Sequence, residues 1–453
     1  MALALASIKK IYFVGIGGIG MSALARYFNY LGAQVLGYDK TETALTKKLV
    51  EEGMQIHYTE QADQIPTDID LAVYTPAIPA KNSELQYFQA AATPLLKRSE
   101  LLGLISRERR SIAVAGTHGK TSTSSILTHL LRTGGIDCTA FLGGIANNLG
   151  SNFVAGSSDW VVLEADEFDR SFLHLRPEIG IITSTDADHL DIYGEHTQLL
   201  DSFNEFAALC SKQLFLARGT ELKLADLSAK VAYYSASQSA DYQASRIRAQ
   251  APNFVFDAQL AERFWEDLNF SLPGRHNVEN ALAAIAVALE LGVTEEQIRQ
   301  GLRSFRGIWR RFEWVVKQPN KVFIDDYAHH PTELKAAIRT ARSLFPNRKL
   351  VGIFQPHLFS RTRDFMDGFA AALDGLDQLY LLDIYPAREE PIEGIDSVAL
   401  LARMQLSEKK LVSKAELLVE LGQAPPALLL SLGAGDIGAL VPKIAQEIYG
   451  KAE

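Results

Sequence analysis

The chain has 453 residues, 47% of them hydrophobic and 22% charged, with a formal net charge of −9. Such a chain fills about two to four globular domains, and an acidic balance without a basic block argues against a nucleic-acid partner. Two cysteines, Cys138 and Cys210, far apart in sequence, rule out a disulfide framework or a cysteine-based metal site, and no apolar run reaches the length of a membrane span.

The opening MALALASIKK is too short for a signal peptide, and its lysines follow the apolar run. A cytoplasmic protein without membrane insertion is expected, as a monomer or weak homodimer. Ile11–Val14 reads as a strand that runs into Gly-x-Gly-x-x-Gly at Gly15, Gly17 and Gly20, with Gly18 between them. A helix follows, with Met21, Leu24, Ala25 and Phe28 on one face, and then a strand, Gln34–Tyr38, ending at Asp39. Glycines at these positions let a diphosphate approach backbone N–H groups, and the acidic residue meets a ribose. NAD is the default ligand of such a pattern, but a nucleoside diphosphate carrying a sugar satisfies the same physics. The strand Leu71–Tyr74 leads to Thr75 and Asn82, which either hold a base or ribose or only cap turns. Residues 94–110, with the charge run Arg107–Arg110, read as a linker.

Residues 111–115 read as a buried strand, Gly116, Thr117, His118 and Gly119 as a loop, and Lys120 and Thr121 as the start of a helix. This is phosphate-binding architecture: a helix N-terminus offers N–H groups, Lys120 reaches outer phosphates, and the Thr121 hydroxyl can ligate Mg²⁺. Val114 stands where the ordinary loop pattern has its first Gly. The strand Trp160–Leu163 delivers Glu164, Asp166, Glu167 and Asp169, and carboxylates so crowded need a cation. Glu164, first off the strand, is the best Mg²⁺ ligand. The strand Ile179–Thr183 delivers Asp188 and His189, a candidate for a second Mg²⁺ or for a phosphoryl group. All three loops leave carboxyl ends of strands, the edge at which open α/β sheets bind ligands. His276, Asn277 and Asn280, placed directly before a helix over Ala281–Glu290, suit a purine edge, with N-capping as the plainer alternative.

Beyond Trp309, Arg310 and Arg311, strands over Lys321–Ile324, Leu350–Phe354, Gln378–Leu382 and Ala427–Leu432 alternate with helices. Polar residues cluster after the strands: Tyr327, His329 and His330, then His357 and Arg361. This is a third α/β domain with a cleft for a small polar substrate.

Six ordered motifs resemble the Mur ligase family across essentially the whole chain. They are Gly-Thr-His-Gly-Lys-Thr at 116–121, Glu-Ala-Asp-Glu at 164–167, Asp-His at 188–189, His-Asn-x-x-Asn at 276–280, Arg-Arg-Phe-Glu at 310–313 and Asp-Asp-Tyr-Ala-His-His-Pro at 325–331. The resemblance implies a three-domain α/β fold. A Rossmann-like N-terminal domain (1–105) would hold a UDP-sugar, a central P-loop ATPase-type domain (106–307) ATP, and a Rossmann-like C-terminal domain (308–453) the amino acid. Gly-Ile-Gly-Gly-Ile-Gly-Met at 15–21 and Gln-Pro-His-Leu-Phe-Ser-Arg-Thr at 355–362 narrow it to members that join L-alanine to the lactyl carboxylate of UDP-N-acetylmuramate in cell-wall synthesis. Phe168, where Ser is frequent, and Thr185-Asp186-Ala187 before the Asp-His pair depart from that pattern. The first leans toward the murein-peptide recycling ligases, which use a tripeptide. A nicotinamide-dependent oxidoreductase would explain only the first glycine loop.

By this resemblance, Gly116 to Thr121, His276, Asn277, Asn280 and Arg311 bind ATP, and Thr121, Glu164 and His189 hold Mg²⁺. Gly15, Gly17, Gly18, Gly20, Asp39 and Thr75 receive the UDP-sugar, and no NAD is implied. Tyr327, His329, His357 and Arg361 receive the amino acid, with Lys120, Glu164, His189, His357 and Arg361 serving catalysis.

Overall fold

The computed structural model describes residues 4–187, 193, 195–224, 227–387 and 389–450. The chain forms two compact units: Met1–Ala244 with Ala258–Trp265 and Glu279–Ser304, and Ser245–Asp257 with Glu266–Val278 and Phe305–Glu453.

The first unit opens with β1 (Lys10–Val14), β2 (Gln34–Tyr38), β3 (Gln55–His57), β4 (Leu71–Tyr74) and β5 (Leu95–Lys97), a parallel sheet ordered β3-β2-β1-β4-β5. β1 is apolar on both faces: Ile11 and Phe13 enter one core, Tyr12 and Val14 another. That is the signature of a parallel strand covered by helices on either side. The covering helices include α1 (Ile19–Tyr30), α2 (Ala44–Glu51), α3 (Ser83–Ala90) and α4 (Arg98–Glu108). Asn82 caps α3, accepting the Leu85 N–H at 3.0 Å.

The expected linker at 94–110 is instead ordered structure, β5, α4 and the start of the next strand. Leu101 and Ile105 lie one helical turn apart and are buried together, and Glu100 accepts the Lys97 N–H at 2.7 Å at the helix start. The charge run conceals this apolar stripe because it occupies only the helix end.

A second sheet contains β6 (Arg110–Ala115), β7 (Thr139–Ala146), β8 (Ser151–Val154), β9 (Trp160–Glu164), β10 (Ile179–Ile182), β11 (Gln213–Ala217), β12 (Lys230–Ser235), β13 (Tyr242–Gln250), β14 (Asn253–Leu260) and β15 (Arg263–Phe270). Its order is β15-β14-β13-β12-β11-β10-β6-β9-β7-β8, and β13, β14 and β15 contribute residues to both units. β6 lies at the centre of the parallel part, between β9 and β10. The helix α5 (Lys120–Thr133) follows β6.

One hydrophobic cluster joins the first two sheets: Met21, Leu24 and Phe28 of α1 share it with Phe141, Phe153 and Leu163. The Tyr27 ring meets those of Phe141 and Phe153 edge-on at 5.4 and 6.1 Å. Arg26 bridges the seam, binding Glu52 at 2.7 Å and the Asn152 side chain.

The second unit carries β16 (Glu313–Lys317), β17 (Val322–Asp326), β18 (Val351–Phe354), β19 (Gln378–Leu381), β20 (Lys409–Leu411) and β21 (Leu428–Leu432), ordered β16-β17-β21-β18-β19-β20. Only β16 runs antiparallel to its neighbour. Asp325 and Asp326, expected after the strand, close it and pair in register with Ser431 and Leu432. The helix expected to begin at Ala281 begins at Arg275 and runs to Glu290, so His276, Asn277 and Asn280 lie in its first turns.

Phe28 is fully buried in the shared cluster. Phe28→Ala is expected to destabilise the first unit by about 3–5 kcal/mol, the usual range for a truncated buried aromatic. A denaturant midpoint shifted by an amount equivalent to less than about 1 kcal/mol would show that α1 does not anchor the two sheets.

Candidate active site

The parallel pairing of β6 with β9 and β10 sets the site. Val114 lies opposite Glu164, and Ala115 opposite Ile182. The loops after these strands therefore leave one sheet edge side by side. Gly116 takes φ +129° and Gly119 φ +84°, backbone conformations that favour glycine. A methyl on Gly116 would also lie 2.8 Å from the Ser184 nitrogen. The loop is clipped to the segment after β10: the Thr117 N–H donates to the Ser184 carbonyl at 3.1 Å, and the His118 N–H to Ser184 Oγ at 2.9 Å. The Thr117 hydroxyl donates to the Asp186 carbonyl at 2.9 Å, and His118 Nε2 stands 3.6 Å from the Asp186 carboxylate.

Lys120 turns back over its own loop. Its Nζ donates to the Gly116 carbonyl at 2.7 Å and reaches both Glu167 carboxylate oxygens, at 2.9 and 2.7 Å. Burial pulls the ammonium's pKa down, but Glu167, Asp166 and Glu164 together outweigh it and hold Lys120 above its ordinary range. Lys120 is thus a fixed cation. Thr121 is the next residue of α5 and is buried. Glu164 accepts the Gly143 N–H at 2.9 Å; a side chain on Gly143 would collide with that carboxylate. Asn280 lies over the loop, its Oδ1 2.6 Å from where a Gly119 methyl would be. Asn277 donates to the Pro273 carbonyl at 2.7 Å. His189, with Asp188, lies outside the described residues.

The first glycine loop is a second cradle in the same unit. Gly15 takes φ +89°, and its N–H donates to the Tyr38 carbonyl at 2.8 Å. Asp39 accepts the Gly17 N–H at 2.8 Å, which ties the acidic residue to the loop. Thr75 sits beside Gly15, its Cγ2 3.1 Å from a methyl built there. Gly18 caps α1 with no side chain over the helix start. Gly20 faces the guanidinium of Arg98. A cavity of about 100 Å³ runs from Ile19 and Gly20 to Glu164 and Asp166.

The second unit collects the other expected residues. Tyr327 and His329 rings lie 5.5 Å apart, and His329 and His357 6.4 Å apart. Arg361 Nη1 stands 3.4 Å from His357 Nδ1, and Arg311 packs 5.5 Å over the Tyr327 ring. Glu333 serves this group, 3.3 Å from His329 Nδ1 and 3.7 Å from Arg311. His330 instead caps the helix Pro331–Leu344, accepting the Thr332 N–H. Burial lowers the His329 pKa and takes His276 down to about 4, Glu333 opposing and Arg311 assisting in each. Burial pushes Asp326 up to about 6 against Arg311 and the two backbone N–H groups it accepts.

Sequence reasoning gave no role to Ser184, Gly143, Arg98 or Glu333, and passed over Glu167 for Glu164. Glu333 carried a signal, four residues after His329 in the first turn of a helix. Glu167 carried none beyond its place in the acidic run.

Glycine loops at the carboxyl edges of parallel strands, one closed by a buried lysine among carboxylates, define a phosphate-handling α/β enzyme. This chain belongs to the Mur ligase family. Three family models match in order: "Mur ligase family, catalytic domain" over residues 10–110, "Mur ligase middle domain" over 114–288, and "Mur ligase, glutamate ligase domain" over 310–444. The chain is 48% identical over 441 residues to a UDP-N-acetylmuramate–L-alanine ligase of Flavobacterium johnsoniae, covering 96% of this chain and 97% of that one. It is 48% identical over 450 residues to the ligase of that name from Porphyromonas gingivalis, covering 97% and 98%. Among solved structures, the UDP-N-acetylmuramate–alanine ligase of Thermotoga maritima superposes with a TM-score of 0.83 at 31% identity, covering 97% of this chain and 99% of that one. A murein peptide ligase of Psychrobacter arcticus shares the fold, with a TM-score of 0.72 at 23% identity, covering 98% and 100%.

The His276 ring should stay neutral until about pH 4, read by NMR of its imidazole. Because its folded pKa is depressed, its contribution to stability is complete above its ordinary value near 6.5 and is lost as pH falls toward about 4. Asp326, raised, has the opposite sign: its contribution is complete below 3.8 and is lost as pH rises through about 6. His276 keeps solvent-exposed surface in the first turn of its helix, and a midpoint above 6 would show that the ring is hydrated and that the protein around it does not lower its pKa.

Proposed function

We propose that this protein joins L-alanine to the lactyl carboxylate of UDP-N-acetylmuramate and splits ATP to ADP and phosphate, in peptidoglycan precursor synthesis. Near-full-length similarity to ligases of that name supports the reaction. The observation that carries it in the geometry is the cavity running from Gly20 to Glu164. A sugar nucleotide held by its diphosphate at the first glycine loop would direct its lactyl group from Gly20 toward Glu164 along this cavity.

A carboxylate resists attack by an amine because its oxygen is a poor leaving group. In the proposed first step a lactyl carboxylate oxygen attacks the γ-phosphorus of ATP and the bond to ADP breaks, leaving an acyl phosphate. The alanine ammonium loses a proton, its nitrogen attacks the acyl carbon, and phosphate departs with the electron pair. Lys120, fixed beside the loop, stabilises charge on the transferring group without having to reorganise. Asn280 and the neutral His276 suit the adenine, and Arg311 a phosphate. Asp39 and Thr75 suit the UDP moiety. The Tyr327, His329, His357 and Arg361 cluster suits a small zwitterion, with Arg361 for its carboxylate. Thr121 and Glu164 are the hard oxygen donors Mg²⁺ prefers; among the described residues Glu164 accepts the Gly143 N–H with one of its oxygens. Thr121 and Glu164 would hold one ion and His189 a second, whose charges supplement that of Lys120 when they are bound.

Phosphate release from UDP-N-acetylmuramate and ATP, with the amino acid varied, should depend on L-alanine; a requirement for tripeptide instead would favour the recycling reaction. Lys120→Ala is expected to lower kcat by about 10²–10³-fold, the usual cost of losing one preorganised charge-stabilising donor. Near-normal turnover would remove Lys120 from the mechanism. Glu164→Gln and His189→Ala should each raise the Mg²⁺ concentration needed for half-maximal rate, and an unchanged Mg²⁺ profile in both would refute the metal assignment.

A further inference from the structure

The cavity that runs from Gly20 to Glu164 contains a charge problem. Glu164 and Asp166 both line it, and the substrate to be activated there is itself a carboxylate. Three anions in one cleft repel one another unless a cation faces them. Among the described residues lining the cavity, Arg98 is the only cation.

Arg98 is well built for that place. It is the first residue of α4, whose Leu101 and Ile105 are anchored in the shared core. Its Nη2 donates to Asp166 Oδ2 at 3.0 Å. Its other side rests on Gly20: a methyl there would lie 2.5 Å from Nη1 and 3.1 Å from Cδ. The guanidinium is thus oriented from two sides, by a carboxylate and by a glycine that leaves it room. With 22% of its side chain exposed, and 35% of that of Asp166, the pair opens onto the cavity. Guanidinium is the group suited to forked recognition of a carboxylate, and it keeps its charge at any working pH.

We propose that Arg98 binds the lactyl carboxylate of the sugar nucleotide and that Asp166 is the positioning residue that aims its guanidinium. This rests on the function proposed above and adds a residue that discriminates the acid-bearing substrate. On binding, the substrate carboxylate shares the guanidinium with Asp166, and Glu164 remains tied to Gly143.

The test compares two ligands by calorimetric titration of the full-length enzyme: UDP-N-acetylmuramate and UDP-N-acetylglucosamine, which lacks the lactyl group. The wild type should bind the muramate more tightly. Arg98→Ala should weaken muramate binding about 10–100-fold, as expected for a lost charge-assisted hydrogen bond, and leave the glucosamine nucleotide and ATP unchanged. Arg98→Lys should recover part of the preference, and Asp166→Asn should reduce it. If Arg98→Ala does not fold, Arg98→Gln, which keeps most of the side chain, gives the same readout. Equal weakening toward both sugar nucleotides, or none toward either, would overturn the proposal while leaving the ligase reading intact. A wild type that neither binds UDP-N-acetylmuramate nor releases phosphate with alanine would overturn both.

Discussion

The site depends on keeping a positive charge inside protein. The Lys120 ammonium is largely withdrawn from water, and desolvation alone would drive it toward the neutral amine. The Glu167 carboxylate and the Gly116 carbonyl reverse that tendency, so the charge survives burial and stays in one place. The surrounding architecture keeps these groups together. Adjacent parallel strands set Val114 opposite Glu164, and glycines at 116, 119 and 143 let backbone and carboxylates approach where a side chain would intrude. A buried ion pair contributes little to stability on balance; in the proposed reaction its value would lie in preorganisation, since a cation already oriented requires no rearrangement as charge moves.

The second unit handles polarity differently. Desolvation by the surrounding protein lowers the pKa of His276 and of the half-buried His329, while Glu333 and Arg311 supply charges around them. The His357 ring stacks on Tyr385 with ring centroids 5.7 Å apart. Asp326 reaches the same end from the acid side: burial holds its carboxyl nearer neutrality than an ordinary aspartate, with two backbone N–H groups fixing its orientation.

Much of this was legible in the residues alone, for physical reasons. Strands such as β1, β6 and β10 are short apolar runs ended by glycine or a polar cluster, and these signals are local. The phosphate loop and Glu164 could be placed near one another because open parallel sheets bind ligands at a single edge. What could not be read were relations set by three-dimensional packing. The charges of Arg107–Arg110 masked a helix whose burial shows only in Leu101 and Ile105. Glu167 was indistinguishable from its acidic neighbours until the fold showed which carboxylate faces Lys120. Arg98 looked like linker because its partners are Gly20, far upstream in sequence, and Asp166, far downstream. His276, Asn277 and Asn280 were placed before the helix rather than in its first turns because nothing local marks Arg275 as the helix start.

The hydrophobic cluster common to the first two sheets has a consequence for ligand choice. Since α1 packs against β7 and β8, the span from Gly18 to Glu164 is set by side chains such as Phe28, Phe141 and Phe153, not by whatever occupies the cradle. That span works as a ruler of fixed length. For the sugar nucleotide proposed above, selection by the distance between diphosphate and reactive group would then follow from interior packing, without any contact to the ligand.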